Sequence, residues 1–481
     1  MRGALRVNDN AVLTRAMSEG EECIPFICTH DIPAEKGDTP RGRFMRSAIA
    51  DLDANLRRMG SALILIDGDP AVEIPRAAVE MAAEAVYVAE PDDPVERRRD
   101  AALLRALSAA GCRLISVADS VLFGKEEILS GAGTPYTVFT PFMKAWLRRI
   151  EDVPPPYPAI VRPISIRIPR TRTSVQTYTP GVRREGETAA RERLGEFIRT
   201  GIAGYGTLRD MPASGGTSRL SAHLARGTIS IRTVFSAARE ARDTGVTDAA
   251  REGADRFIGE LIWREFYHQI LGHFPGVTEG PFREEFARVR WSGRKSLFDA
   301  WCEGRTGYPI VDAGMRQLNE EGWIHNRIRM VAASFLTKDL HIDWRRGERY
   351  FFDRLIDADT ASNNGGWQWT AGTGTDASPF FRIFNPVSQG KRFDRTGEYV
   401  RRYVPELSRL PASFIHAPWE MSPSLAREIS FRAGRDYPAP VVDHAVERGV
   451  ALSLYRGVRK HGSAPGPGGN PVIAPPREKP A

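Results

Sequence analysis

The sequence predicts a doubly wound parallel α/β sheet domain joined by a long linker to an all-helical domain. Three observations predict it. Short apolar runs alternate strictly with longer amphipathic stretches up to Val117, the pattern of a parallel sheet covered on both faces. A proline-rich segment without periodicity follows, from Val153 to Pro180. Beyond about Gly186 apolar residues recur at three-to-four spacing and strand alternation is absent.

In chain order, Met1 to Asn10 (M-R-G-A-L-R-V-N-D-N) reads as a loop entering a helix at Ala11. A doubly wound sheet usually opens on a strand, so the chain starts one strand late and the first strand is expected to be missing. Ile24–Cys28, Ala62–Ile66, Ala85–Ala89 and Arg113–Val117 read as buried strands, separated by helices such as Phe44–Met59 and Val95–Ala110. Helices are then expected at Arg191–Ile202, Thr228–Ala241, Ala250–Leu271, Tyr308–Glu321, Asn326–Leu340 and Gly347–Leu355. This divides the chain into an α/β domain over 1–150, a linker over 151–185, a helical domain over 186–456 and a tail over 457–481. The tail, G-S-A-P-G-P-G-G-N-P with scattered charge, is too poor in apolar residues to pack and is expected to be disordered.

Composition removes several function classes. No run approaches the roughly 18 apolar residues of a membrane span, and the N-terminus lacks a signal-peptide layout. Cys23, Cys28, Cys112 and Cys302 form no C-x-x-C pair and no zinc-like quartet, which fits reduced thiols in a cytoplasmic protein. Lys and Arg number 67 against 60 Asp and Glu, a net +7 that points only weakly to an anionic partner. Nine tryptophans, several beside polar or basic residues, are more informative.

The densest stretch is Leu355–Trp369, L-I-D-A-D-T-A-S-N-N-G-G-W-Q-W, read as a polar loop that either anchors an aromatic patch or builds a ligand site. Gly216–Ser221 (G-T-S-R-L-S) places Thr217, Ser218 and Ser221 around Arg219 where a helix begins, a combination suited to cradling phosphate. Capping by one hydroxyl is the plainer use of such residues. In Glu260–Tyr267 (E-L-I-W-R-E-F-Y), Glu260, Trp263 and Arg264 share one helix face, an acid, an indole and a guanidinium fit to recognise a planar hydrogen-bonding ligand. The alternative is an intrahelical ion pair beside a core tryptophan. In G-W-I-H-N-R-I-R-M from Gly322, Asn326 and Met330 share a face, and Arg329 is placed to pair with Asp357 or Asp359. His325 reads as a core histidine. Asp357 and Asp359 lack a third ligand at a convincing spacing, so no metal is assigned.

These motifs, with T-G-Y-P-I-V-D-A-G-M-R-Q-L and F-N-P-V-S-Q-G, resemble the photolyase and cryptochrome family, and most of all its class I cyclobutane pyrimidine dimer photolyases. Dense resemblance runs from about Tyr205 to Pro405, and a looser one covers Ala11 to Trp146. It implies an enzyme, a deoxyribodipyrimidine photo-lyase, in which excited reduced FAD passes an electron to the dimer and recovers it once the ring opens. By the same resemblance Tyr205, Thr217, Ser218, Arg219, Leu220 and Ser221 would hold the FAD phosphates and ribityl chain, with Arg264 also on the cofactor. Arg329 and Asp357 would pair beside the flavin, Asp359 would sit at its polar edge, and Asn363 would face N5. Trp263, Trp369 and Met330 would pack on the dimer, and Glu260 and Asn326 would bond its base edges, with Glu260 also steadying the dimer during cleavage. Trp367, Trp344 and Trp291 would relay electrons to oxidised flavin. Arg209, Arg327, Arg382 and Lys391 would grip the DNA backbone.

The N-terminal domain departs from the family pattern. R-G-A-L-R-V-N-D-N from Arg2 carries alanine where the family has its first aspartate. Glu96 matches an acidic position used for a folate antenna, but Val95, Val277 and Thr278 do not match folate binders, so folate, a deazaflavin, a second flavin or no antenna all stay open. The resemblance further implies damaged DNA as partner, no membrane association and a monomer. A blue-light sensor, a six-four photoproduct repair enzyme and a non-catalytic DNA-binding flavoprotein are the alternatives.

Overall fold

The computed structural model describes residues 1, 3–28, 30, 38–157, 185–377, 379 and 382–460. Most of the expected linker, and the tail from 461 onward, lie outside the described residues. The first domain runs α1 (Ala11–Glu19), β1 (Phe26–Cys28), α2 (Pro40–Arg58), β2 (Ile64–Ile66), α3 (Pro70–Glu80), β3 (Ala85–Ala89), α4 (Pro94–Ala109), β4 (Arg113–Val117) and α5 (Phe139–Leu147). All four expected strands are present, and α3 and α5 are added to the expected helices. Proline at the first turn of α2, α3 and α4 suits a position whose N–H has no helical partner.

The expected α/β domain with parallel strands is present, but its sheet is divided. β1 pairs in parallel with β2, and β3 with β4, as two separate two-stranded sheets among the described residues. The segment before α1 forms no strand, because its polar groups are engaged elsewhere. The Val7 and Asn8 amides donate to the Glu187 carboxylate at 2.7 and 3.0 Å. Asn10 caps α1 by accepting from the Leu13 amide, and its own amide donates to the Arg6 carbonyl at 2.7 Å. The two sheets meet through apolar side chains, with Cys28 and Val86 in one buried cluster.

The second domain is helical, as expected: α6 (Glu187–Glu196), α7 (Ile202–Leu208), α8 (Ser221–Arg226), α9 (Ile231–Thr244), α10 (Asp248–His273), α11 (Lys295–Cys302), α12 (Pro309–Glu321), α13 (Asn326–Ser334), α14 (Trp344–Arg354), α15 (Thr360–Ala371), α16 (Pro386–Phe393), α17 (Glu398–Tyr403), α18 (Pro423–Glu428) and α19 (His444–Lys460). A turn of π-helix links α6 to α7 and another follows α13. One large core gathers α11 to α15 and α17, and a second packs α5 against α9 and α10. The stretch Leu355–Trp369, read from sequence as a polar loop, is mostly the helix α15. Asp359 caps it by accepting from the Ser362 amide at 2.7 Å, and Gly372 closes it at φ +81°.

Buried charge joins the domains. Asp119, just after β4, takes 2.6 Å and 2.7 Å bonds from Arg6 and Arg232, and Arg232 also reaches Asp9 at 3.0 Å. Arg6 bonds the Gly227 carbonyl at 3.0 Å. Gly227 has φ +65°, and a Cβ there would fall 1.9 Å from the Gly3 carbonyl oxygen, so only glycine lets α8 end against the N-terminal segment. Burial would raise the Asp119 carboxyl, but the two guanidiniums outweigh it and hold the group below the usual carboxylate range. Asp119→Asn leaves two buried guanidiniums without their shared anion and is expected to cost roughly 3 to 5 kcal/mol, measurable as the loss of unfolding free energy in urea.

Candidate active site

α10 supplies one wall of the site. Thr247 caps it, and its long apolar face buries Phe257, Ile258, Leu261, Ile262 and Phe266, which turns Glu260, Trp263 and Arg264 toward a cavity of about 530 Å³. α15 supplies the facing wall with Asn363, Gly366, Trp367 and Trp369, and α13 contributes Asn326, Arg329 and Met330. Tyr205, Arg209, Ser218, Leu220, Ser221, Arg327, Asp357 and Asp359 complete the assigned residues that line it. The volume falls within the usual range of ligand pockets.

α10 and α15 approach closely at Gly365, where a Cβ would stand 2.1 Å from Tyr267 Cδ1. Gly366, the next residue, would meet nothing within 4 Å because it faces the cavity. The glycine pair thus has two uses, contact on one side and ligand space on the other. Asn364 and Gln368 hold the buried side of α15 by donating to the Val277 carbonyl at 3.0 and 2.9 Å.

The anticipated Arg329–Asp357 pair is present at 2.7 Å, and Arg329 also donates to the Ile324 carbonyl at 2.8 Å. The other Asp357 oxygen, Oδ1, is buried with no hydrogen-bond partner, and a buried carboxylate oxygen left bare beside a cavity is fitted to a ligand donor. Asn363 spends its amide N–H on the Glu348 carbonyl at 3.1 Å, which leaves its amide oxygen as an acceptor. Burial pushes the neighbouring Glu348 carboxyl up to about 7, partly offset by the bond from Asn364.

Other assignments are redistributed. Arg264 makes no intrahelical pair with Glu260; it donates to the Ser120 carbonyl at 2.6 Å. Glu260 pairs instead with Arg209 of the turn after α7, at 2.7 Å, and Arg327 pairs with Asp210 at 2.8 Å. The phosphate cradle is divided: Thr217 and Arg219 are not on the cavity lining, and Arg219, at φ +51°, stacks over Trp323 at 4.3 Å. α8 starts at Ser221 without a side-chain cap, and the Leu220 amide just before it donates to Ser218 Oγ at 3.4 Å. His325 is buried and caps α13 by accepting from the Arg327 amide.

Trp263 is half-buried and stacks face to face on Phe139, centroids 3.6 Å apart at 8°, which fixes the plane it presents. Trp367 and Trp344 are buried in one core, and Trp291 packs against its rim. The ring neighbours of Trp367 are Phe351 at 5.0 Å and Trp301 at 6.1 Å, neither anticipated from sequence. Arg382 and Lys391 are exposed away from the cavity, Lys391 lying 3.7 Å from Glu420. Among the residues missed, Tyr267 lies one turn beyond Trp263 and Glu348 one turn beyond Trp344, so helical spacing offered a signal for both.

An α/β domain joined to a helical domain around such a cavity is the architecture of photolyases and cryptochromes. A solved class III photolyase from Agrobacterium tumefaciens superposes with a TM-score of 0.85 at 37% identity, covering 96% of this chain and 97% of that one. A Synechocystis cryptochrome gives 0.85 at 27% identity, covering 94% and 98%. Residues 1–160 match the DNA photolyase model and residues 257–457 the FAD binding domain of DNA photolyase. Deoxyribodipyrimidine photo-lyases from Synechococcus and Halobacterium salinarum are 39% and 41% identical, each over about 95% of this chain, covering 95% and 98% of those proteins. The chain belongs to the DNA photolyase family. Gly365→Ala is expected to force α15 off α10 and cost roughly 1 to 3 kcal/mol, and the purified variant should show a lower flavin-to-protein absorbance ratio than the parent.

Proposed function

We infer that the protein is a light-dependent DNA repair enzyme that splits cyclobutane pyrimidine dimers with FAD as its cofactor. The observation that carries this reading is the two-ended cavity: a polar end with the Arg329–Asp357 pair and a bare buried oxygen, and an aromatic end with Trp263 and Trp369. Reduced FAD, when bound there, supplies on excitation the electron that opens the cyclobutane ring and takes it back afterwards.

The protein's own residues then have separable tasks. Asp357 Oδ1 offers an acceptor to the cofactor while Arg329 balances its charge. Asn363 offers a neutral amide oxygen at the position assigned to flavin N5, placing no negative charge beside a reduced ring. Ser218, Ser221 and the uncapped start of α8 are suited to the phosphates. Trp263, held flat by Phe139, and Trp369 stack on a dimer flipped out of the duplex, the base flipping that photolyases use. Glu260 and Asn326 bond its base edges in this reading, both lining the cavity. Trp367, Trp344 and Trp291 carry electrons from the surface to oxidised flavin. Arg209, Arg327, Arg382 and Lys391 supply salt-dependent grip on phosphates.

We further propose a monomer acting in the cytoplasm. The four cysteines are unbonded and no helix among the described residues is long and apolar enough to cross a membrane. The antenna stays folate, deazaflavin, a second flavin or none; a photolyase from Sulfolobus tokodaii, 30% identical with a TM-score of 0.77, holds two FAD molecules.

Illumination of the flavin-reduced protein with dimer-containing oligonucleotide should remove dimers in a light-dependent manner, and no such loss overturns the reading. Trp263→Ala should weaken selective binding to dimer-containing DNA by roughly 1 to 3 kcal/mol with FAD retained, read by competition binding. Trp291→Phe should block light-driven reduction of oxidised flavin while leaving repair by chemically reduced enzyme unchanged.

A further inference from the structure

His268 lies on α10 one turn beyond Arg264, outside the cavity lining. Its Nδ1 is hydrogen-bonded to Asp92 Oδ2 at 2.7 Å, in the loop that follows β3, and its Nε2, buried and without a hydrogen bond, stands at ion-pair distance, 3.4 Å, from Asp359 Oδ2 at the cap of α15. A neutral imidazole carries one N–H and can serve only one of two flanking carboxylates, whereas an imidazolium serves both. We propose that His268 is a positioning residue: as an imidazolium bridging the α/β domain and α15, it fixes Asp359 and offsets the negative charge that Asp359 presents to the flavin. The proposal rests on the reading that Asp359 faces the cofactor.

The surroundings fit this use. Arg264, on the same helix, is turned toward the Ser120 carbonyl, and Ser120 in turn donates to Asp92 at 3.3 Å. Arg97 of α4 stands 3.9 Å behind Asp92. Thr360, next to Asp359, donates to Asp93, next to Asp92, so a direct bond joins the two segments that flank His268. Arg226 of α8 donates to the Ile356 carbonyl at 3.2 Å and adds positive charge in the field of Asp357 and Asp359. Burial and the Arg264 guanidinium push the imidazole toward neutrality, but Asp359 and Asp92 outweigh both and hold its pKa up at about 9. Asp359 is held well below the usual carboxylate range, the His268 charge outweighing its burial. A pKa raised from 6.5 to about 9 on folding gives stabilisation that is complete below about pH 6.5 and is lost as the pH rises through about 9.

The test is the flavin reduction potential measured against pH in the FAD-bound protein, His268→Gln, His268→Arg and Asp359→Asn. A cation beside Asp359 favours the more negative, reduced cofactor. The parent should therefore lie above His268→Gln at about pH 7 and converge on it by about pH 10. His268→Arg, whose charge does not titrate in this range, should keep the higher potential throughout. Parallel curves for parent and His268→Gln, with Asp359→Asn still shifting the potential, overturn the role of His268 alone. If Asp359→Asn leaves the potential unmoved as well, the assignment of Asp359 to the flavin falls. Should His268→Gln fail to hold FAD, the parent must drop away from His268→Arg above about pH 9, or the proposal fails.

Discussion

Asp119, held between Arg6 and Arg232, is the joint on which the two-domain arrangement depends. All three side chains are almost wholly buried, so none keeps its hydration and each relies on the others. Two further carboxylates act in the same way. Glu187 receives the Val7 and Asn8 amides, and Glu265 receives the amides of Leu122 and Phe123 and the Trp146 indole N–H. Each of these acids crosses from one domain to backbone donors of the other, which makes relative motion of the domains expensive.

That rigidity reaches the cavity through α10. Glu265 sits two residues from Trp263, and Phe139 at the start of α5 stacks on the same indole. The first domain therefore sets the plane of an aromatic group in the second. On the opposite wall, α15 is pinned by Asn364 and Gln368 to Val277, and α14 lies close enough that a Cβ on Gly347 would fall 2.2 Å from the Trp367 ring. The aromatic residues of the cavity, Trp263 and Trp369, sit on α10 and α15, whereas the Arg329–Asp357 pair comes from α13 and the turn before α15.

The legible parts of the sequence are those fixed locally. Four strands and most long helices follow from apolar periodicity, and the Arg329–Asp357 pair follows from the need of a buried guanidinium for an anion. The division of the sheet was not legible, because strand pairing depends on what lies between β1 and β3, and residues 3–10 give their donors to Glu187 and to local turns. α15 was read as a loop because Asn363, Asn364, Gly365 and Gly366 are weak helix formers, a preference that contacts with Tyr267, Val277 and Glu348 override. The Arg209–Glu260 pair joins positions far apart in sequence, and nothing in either local pattern announces it. Arg219 illustrates the converse: its motif pointed to phosphate, yet its guanidinium rests on Trp323.

The crowding of α15 has a consequence for how such a protein can change. Within two turns, Asn363 lines the cavity, Gly365 admits Tyr267, Trp367 enters the core and Trp369 lines the cavity again. These side chains share one rigid axis, so a displacement that improves one contact misaligns the rest. Substitutions along this helix are therefore coupled, and its evolution is confined to changes that leave the axis in place. Adaptation to a new lesion or light regime is freer at lining positions carried on other elements, such as Met330 on α13.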